Sequence, residues 1–236
     1  MNILITGTSS GIGSGLAMYY LKKDHIVYGI SRRNNEILDR YSNFRFLSQD
    51  LSDFAATEEA IPKLLEHVDT LDLVILNAGV LGKINDMQDT PLEEIKKVMD
   101  INVWSNKVII DTVFDTVTKI RQVVGISSGA AVSGARGWNA YSLSKSTLNM
   151  LIDLYAKEHE ETHFSALAPG IIDTDMQEYI ATIEEEEKFP VVKYLKGMKG
   201  TAEMPPADEV AADLAEAMSV LTRYESGSFQ DVRKMD

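Results

Sequence analysis

The sequence predicts an α/β protein built on a doubly wound parallel sheet with helices on both faces. Three observations carry that prediction. Short β-prone runs alternate with longer helical stretches along most of the 236 residues, the pattern of parallel strands joined by crossover helices. The runs VILN and VVGIS lack polar alternation, as expected of strands buried on both sides. A glycine-rich turn, TGTSSGIG, joins the first apolar run to the first helical stretch.

Strands are expected at about 2–6, 25–30, 44–47, 72–76, 122–127 and 163–168. Helices are expected at about 12–23, 54–67, 91–117 and 140–159, with a further one in PADEVAADLAEAMS. At 44% hydrophobic residues, a chain of this length is expected to form one domain, 1–236, with a full core. It has no cysteine, which excludes a disulfide framework and cysteine-based metal sites; no metal is expected. No apolar run approaches the ~20 residues of a membrane span, and the short NILIT segment after Met1 does not fit a signal peptide. A cytoplasmic, soluble protein is therefore expected. The net charge of −13 argues against a nucleic-acid partner, which needs clustered Lys and Arg.

In such sheets ligands bind outside the carboxyl ends of the strands. At the first of these ends stand Gly7, Gly11 and Gly13, ahead of the helical run LAMYYL. Glycines there permit a tight turn and close approach of backbone N–H groups to a pyrophosphate, which the helix N-terminus favours electrostatically. An ordinary strand-to-helix turn is the plain alternative. The second strand ends in Ser31, Arg32 and Arg33, with no acid to hold the 2′-hydroxyl of NAD. Arginine at that place accommodates a 2′-phosphate, so NADP(H) is expected, with Arg32 as the main contact. The third strand leads to Asp50 and Leu51, with Ser52 or Asp53 placed to cap the next helix. The fourth ends in Asn77, Ala78 and Gly79, small enough for backbone to pack on a cofactor.

The stretch from Ser127 to Lys145 carries the expected chemistry. Tyr141 and Lys145 lie four apart on a helix and share a face. A neighbouring ammonium favours the phenolate, lowering the tyrosine pKa toward the working range. The spacing alone is weak, because Tyr19 and Lys23 repeat it without an upstream serine at the right interval. Asn102, inside the third helical stretch, is either solvent-facing or used for a hydrogen bond.

Taken together, these residues resemble those of the short-chain dehydrogenase/reductase family over essentially the whole chain. The resemblance implies a single-domain Rossmann-type sheet of about seven strands. It places the glycine motif on Gly7, Ser9, Ser10, Gly11, Ile12 and Gly13, and the adenine contact on Asp50 with Leu51. It places the N-A-G motif on Asn77, Ala78 and Gly79, and the nicotinamide border on Pro169, Gly170, Ile172 and Thr174. The catalytic set falls on Asn102, Ser128, Tyr141 and Lys145, Ser128 standing thirteen residues before the tyrosine. The implied roles are Tyr141 as proton donor, Ser128 as partner of the same oxygen, Lys145 on the nicotinamide ribose, and Asn102 positioning a water. Leu76 departs from the pattern, standing where many members have a second asparagine. A narrower resemblance, to sepiapterin reductases and bacterial benzil reductases, rests on Gly137-Trp138 and on Ala168 to Gln177. It implies that Asp231 anchors substrate, beside the plainer reading of a charged residue near a chain end.

The segment 171–206 holds too many apolar residues for an exposed linker and is read as a substrate lid, its Glu184 to Glu187 run as a solvated helix face. Trp138 is either the opposite wall of the pocket or core. The expected activity is NADPH-dependent reduction of a ketone or vicinal dicarbonyl, pterin-like or aromatic. Reduction of acyl or steroid-type ketones, or a catalytically silent NADP sensor, are the alternatives. A homodimer or homotetramer is implied by the family, pairing through the helices at 91–117 and 140–159.

Overall fold

The computed structural model describes residues 1–235 and contains the expected parallel sheet. In chain order the elements are β1 (Asn2–Thr6), α1 (Gly11–Leu21), β2 (Ile26–Ser31), β3 (Phe44–Ser48), α2 (Phe54–Leu64), β4 (Thr70–Leu71) and β5 (Leu73–Leu76). They continue with α3 (Leu92–Met99), α4 (Ser105–Thr116), β6 (Lys119–Ile120), β7 (Gln122–Ile126), α5 (Asn139–Glu158) and β8 (His163–Ala168). The last are α6 (Asp175–Ala181), α7 (Pro190–Met198), α8 (Ala211–Val220) and β9 (Phe229–Asp231). The main sheet has seven strands in the order β3-β2-β1-β5-β7-β8-β9, every pairing parallel. The order reverses beside β1, so a crevice opens between the carboxyl ends of β1 and β5.

Alternation along the strands divides the core into two layers. Leu4 packs with residues of α2, α4 and α5 on one face, whereas Ile3 and Ile5 pack with α1 and α8 on the other. Leu76, at the departure from the family pattern, is buried in the first layer. The strand end is secured by its neighbour: Asn77 Nδ2 donates to Thr6 O at 2.9 Å, and Asn77 N donates to Thr6 Oγ1 at 3.0 Å.

Two sequence expectations are corrected. The stretch 91–117 is two helices, joined by a wide turn over Asp100–Trp104. Asn102 lies inside that turn and is fully buried. The turn displaces the main-chain pattern: Asn106 Nδ2 donates to Asn102 O at 2.8 Å. The Glu184 to Glu187 run is the link between α6 and α7 rather than a helix face. Lys188, Lys193 and Lys196 pair with Glu185, Glu187 and Glu186 there. Asp53 caps α2 by accepting from Ala56 N at 3.1 Å. No helix of the described residues is long and apolar enough to cross a membrane.

Candidate active site

A cavity of about 600 Å³ runs along the carboxyl ends of the strands. At one end it is lined by the turn after β1 and by Arg32 and Arg33 after β2, at the other by Ser128, Trp138 and Tyr141.

The first end is shaped by residues that cannot carry a side chain. Gly7 and Gly11 have φ of 76° and 58°, a region glycine enters without strain. A Cβ on Gly13 would stand 2.3 Å from Gly7 O and 2.4 Å from Asn77 Nδ2. The turn thus lies directly against the β5 end. Ser10 precedes α1 without capping it by its side chain, and the first turn of α1 carries no acid. The first N–H groups of a helix have no intrahelical acceptor, so they stand toward the cavity as an anion-favouring end. Ser10 Oγ donates instead to Asp175 Oδ2 at 2.9 Å, joining the turn to the start of α6.

Arg32 and Arg33 are exposed. Ser31 is buried and donates through Oγ to Arg33 O at 2.8 Å, so its hydroxyl shapes the turn that presents the two guanidiniums. Asp50 Oδ1 accepts from Ser52 N and Ser52 Oγ at 3.0 and 2.8 Å, which holds its carboxyl below the usual range, with a smaller contribution from Arg32. Leu51 is buried beside it.

At the second end, β7 delivers Ser127 and Ser128 and α5 delivers Tyr141 and Lys145. The two serines divide their work: Ser127 is buried and bonded to Asn149 at 2.5 Å, whereas Ser128 lines the cavity beside Tyr141. Lys145 Nζ lies 5.7 Å from the centroid of the Tyr141 ring and donates to Ile126 O at 2.7 Å. Burial raises the Tyr141 phenol above the ordinary tyrosine value, and a hydrogen bond with Ser128 offsets part of that rise. This corrects the expectation that Lys145 lowers it. The spacing brings the ammonium beside the ring, while burial of the phenol sets the direction of its shift. Tyr19 and Lys23 reach the same relation, Nζ 5.1 Å from the ring centroid, away from the cavity lining.

Asn102 is fully engaged through its side chain. Oδ1 accepts from Val80 N at 2.8 Å, and Nδ2 donates to Val80 O and Ser144 Oγ at 2.8 and 2.9 Å. It thereby fixes the segment after Gly79, whose Cα faces Lys145 Nζ. Pro169, Gly170, Ile172 and Thr174 line the cavity between its two ends. Trp138 is both core and wall: it is 7% exposed among the buried apolar residues of α6 and α7, and it lines the cavity.

Asp231 stands apart from the other candidate residues. It is buried and is not among the residues lining the cavity, and its carboxylate is held at two points by Arg233, Nε to Oδ1 at 2.9 Å and Nη2 to Oδ2 at 2.6 Å. Sequence reasoning missed Arg233, which lines the cavity, and Ser144 and Asn106, which complete the polar chain around Asn102. Ser144 gives no local signal because its contact lies 42 residues away, and Arg233 and Asn106, which bond two and four residues back, carry no motif that marks those bonds.

Burial lowers the Lys145 ammonium to about 8. An unfolded lysine keeps its proton to about pH 10.4. Below pH 8 the folded chain must hold a desolvated charge, and that penalty lifts as pH rises from about 8 to 10. Urea unfolding of the cofactor-free protein should show stability rising by on the order of 2 kcal/mol across that window. Lys145→Met should flatten the rise; an undiminished rise would assign it to another group.

A family model described as short chain dehydrogenase matches residues 1–185, which makes the chain an oxidoreductase on a dinucleotide-binding fold. The benzil reductase ((S)-benzoin forming) of Bacillus cereus is 31% identical over 203 residues, 78% of this chain and 81% of that protein. The NADPH-dependent pterin aldehyde reductase of Arabidopsis thaliana is 30% identical over 183 residues, 74% of this chain and 76% of that protein. A solved short-chain dehydrogenase/reductase from Saccharomyces cerevisiae superposes with a TM-score of 0.87 at 24% identity, over 99% of this chain and 96% of that one. The chain belongs to the short-chain dehydrogenase/reductase family, whose members bind a nicotinamide cofactor.

Proposed function

We propose that the protein is an NADPH-dependent carbonyl reductase acting on a ketone or vicinal dicarbonyl compound. The observation that carries this reading is one cavity with two arginines at one end and Ser128, Tyr141 and Lys145 at the other. The residues fit the cofactor. The glycine turn has no room for a Cβ at Gly13 and offers free helix N–H groups, suited to a pyrophosphate. Arg32, at the end of β2, offers a fork suited to a 2′-phosphate. When bound, the cofactor supplies a hydride to the carbonyl carbon.

The protein's own part is binding, orientation and proton delivery. Tyr141 gives its phenolic proton to the carbonyl oxygen, and its raised pKa keeps that proton in place at neutral pH. Ser128 donates a hydrogen bond to the same oxygen as charge develops there. Lys145 holds the nicotinamide ribose, and Asn102 keeps the Gly79–Val80 segment in position against it. Gly7, Ser9, Ser10, Gly11, Ile12 and Gly13 cradle the phosphates. Asp50 and Leu51 meet the adenine end, and Asn77, Ala78, Gly79, Pro169, Gly170, Ile172 and Thr174 border the rest.

Residues 171–206 act as the lid. Phe189 and Val192 are fully buried within it, while Met176, Ile180, Val191, Tyr194 and Leu195 face the cavity. Gly137, with φ of 93°, lets Phe189 and Ile84 close beneath Trp138; a Cβ there would stand 2.7 Å from the Phe189 ring. The protein pairs with copies of itself through α4 and α5. Support comes from Leu143, Met150 and Leu154, exposed along α5, and from Trp104, exposed at the end of the wide turn that leads into α4.

The reading is tested by NADPH oxidation across a panel of aryl diketones, pterin-like carbonyls and monoketones; tight NADPH binding with no oxidation of any of them would favour the sensor. In parallel, Arg32→Ala should weaken NADPH by about 10- to 100-fold, as expected for loss of a charge-assisted phosphate contact. NADH should change by much less. Fluorescence titration of both cofactors measures this, and equal losses would remove Arg32 from the 2′-phosphate.

A further inference from the structure

Among the described residues, Arg233 is the one guanidinium at the Ser128 end of the cavity. It stands two residues beyond the end of β9, and its side chain is 53% exposed while that of its partner Asp231 is 6% exposed. Asp231 Oδ1 also accepts from Arg233 N at 3.1 Å, so the carboxylate fixes both the main chain and the side chain of the arginine. The guanidinium stands beside the residue after Ser128: Nη2 lies 3.6 Å from where a Cβ on Gly129 would be. Its aliphatic stem crosses Gly170, Cγ and Cδ lying 3.9 Å from a Cβ placed there. Tyr194 on α7 is close enough to act on its charge.

A guanidinium carries five N–H donors. The pair with Asp231 uses Nε–H and one on Nη2. One on Nη2 and both on Nη1 have no acceptor among the described residues. Because the buried carboxylate cancels the charge at contact, this edge offers oriented donors without a net positive charge. Such a donor set suits a neutral carbonyl oxygen better than a carboxylate, which would bring a second negative charge next to Asp231.

We propose that Arg233 is a specificity-determining residue that donates to the second oxygen of a neutral vicinal dicarbonyl substrate, and that Asp231 is the positioning residue that holds it there. Asp231 then acts on substrate only through the arginine. The proposal rests on the reductase reading above, with the first oxygen on Tyr141 and Ser128.

The test uses the full chain with NADPH and three probes: 1-phenyl-1,2-propanedione, 1-phenyl-1-propanone and phenylglyoxylate. Arg233→Gln should lower the ratio of kcat/KM for the dione to that for the monoketone by 10-fold or more; using a ratio against wild type cancels the dione's greater intrinsic reactivity. Asp231→Asn leaves the guanidinium charge uncompensated, and should raise phenylglyoxylate relative to the dione by a similar factor. A merely structural role for the pair would lower all three probes alike. Should Arg233→Gln fail to fold with Asp231 left unpaired, the double variant Asp231→Asn with Arg233→Gln restores a neutral pair and should show the same fall in the dione ratio. Equal losses for dione and monoketone in the folded variant would overturn the proposed roles of Arg233 and Asp231 and leave the reductase reading standing. Absence of NADPH oxidation with any probe in the wild-type protein would overturn the reductase reading, and the proposal with it.

Discussion

Tyr141→Phe is expected to lower kcat/KM for carbonyl reduction by about 10³-fold, within the range general acids supply, while NADPH affinity changes little. The substitution removes one hydroxyl from a ring that keeps its packing. Ser128 retains a partner, since its Oγ accepts from Ala130 N at 3.2 Å. The loss therefore reports proton delivery and not collapse of the site. Single-turnover measurement with bound NADPH separates the two quantities. A variant that keeps turnover within a few-fold of wild type would move the proton donor elsewhere, and one that no longer binds NADPH would make Tyr141 chiefly a cofactor residue.

The second large effect is expected at Gly13. Its backbone is ordinary helix, so the reason for glycine there is space: a Cβ would meet Gly7 O at 2.3 Å. A main-chain carbonyl cannot swing aside as a flexible side chain can. Gly13→Ala must push the turn off α1 or off Asn77, and either motion spoils the phosphate cradle. Overpacking of this kind costs about 1–3 kcal/mol or more, and for a chain of this size each kcal/mol shifts Tm by about 2–4 °C. The variant should melt several degrees lower and bind NADPH at least 100-fold more weakly. Gly134→Ala, with nothing within 4 Å, serves as the control for thermal stability. Near-normal NADPH affinity in Gly13→Ala would show that the turn does not hold the pyrophosphate.

The inner strands β1, β5 and β7 were legible because burial on both faces writes itself into the sequence as continuous apolar runs, and β3, with Arg45 exposed, by its alternation. The cavity was legible at the glycine turn and at Ser128, Tyr141 and Lys145, where chemistry and spacing coincide. What escaped has physical causes. The break at Asp100–Trp104 contains no glycine or proline, and the apolar period runs through it, so nothing local marks it. β4 and β6 are two residues each, shorter than any alternation can show. The Glu184 to Glu187 run follows no helix because its lysine partners lie in the same link and on α7, not on its own face. Tyr141 and Tyr19 carry the same i,i+4 lysine; the upstream Ser128 separates them in the sequence, and the fold puts Tyr141 on the cavity. Its raised pKa depends on burial, which spacing does not encode. The role of Asp231 could not be read without the arginine two residues later, since nothing in the sequence turns Arg233 back onto it.

The wide turn around Asn102 also bears on how this chain can vary. Asn106 donates to the main chain of Asn102, Asn102 donates to Ser144, and Ser144 donates to Tyr141 O at 2.8 Å. All three side chains are essentially without solvent contact. An apolar replacement at any one strands a buried polar neighbour, and at Asn102 it strands Val80 N and Val80 O as well, whatever stands at 106 and 144. Positions 102, 106 and 144 are therefore expected to keep their polar side chains as a set across relatives, although 42 residues separate the first from the last.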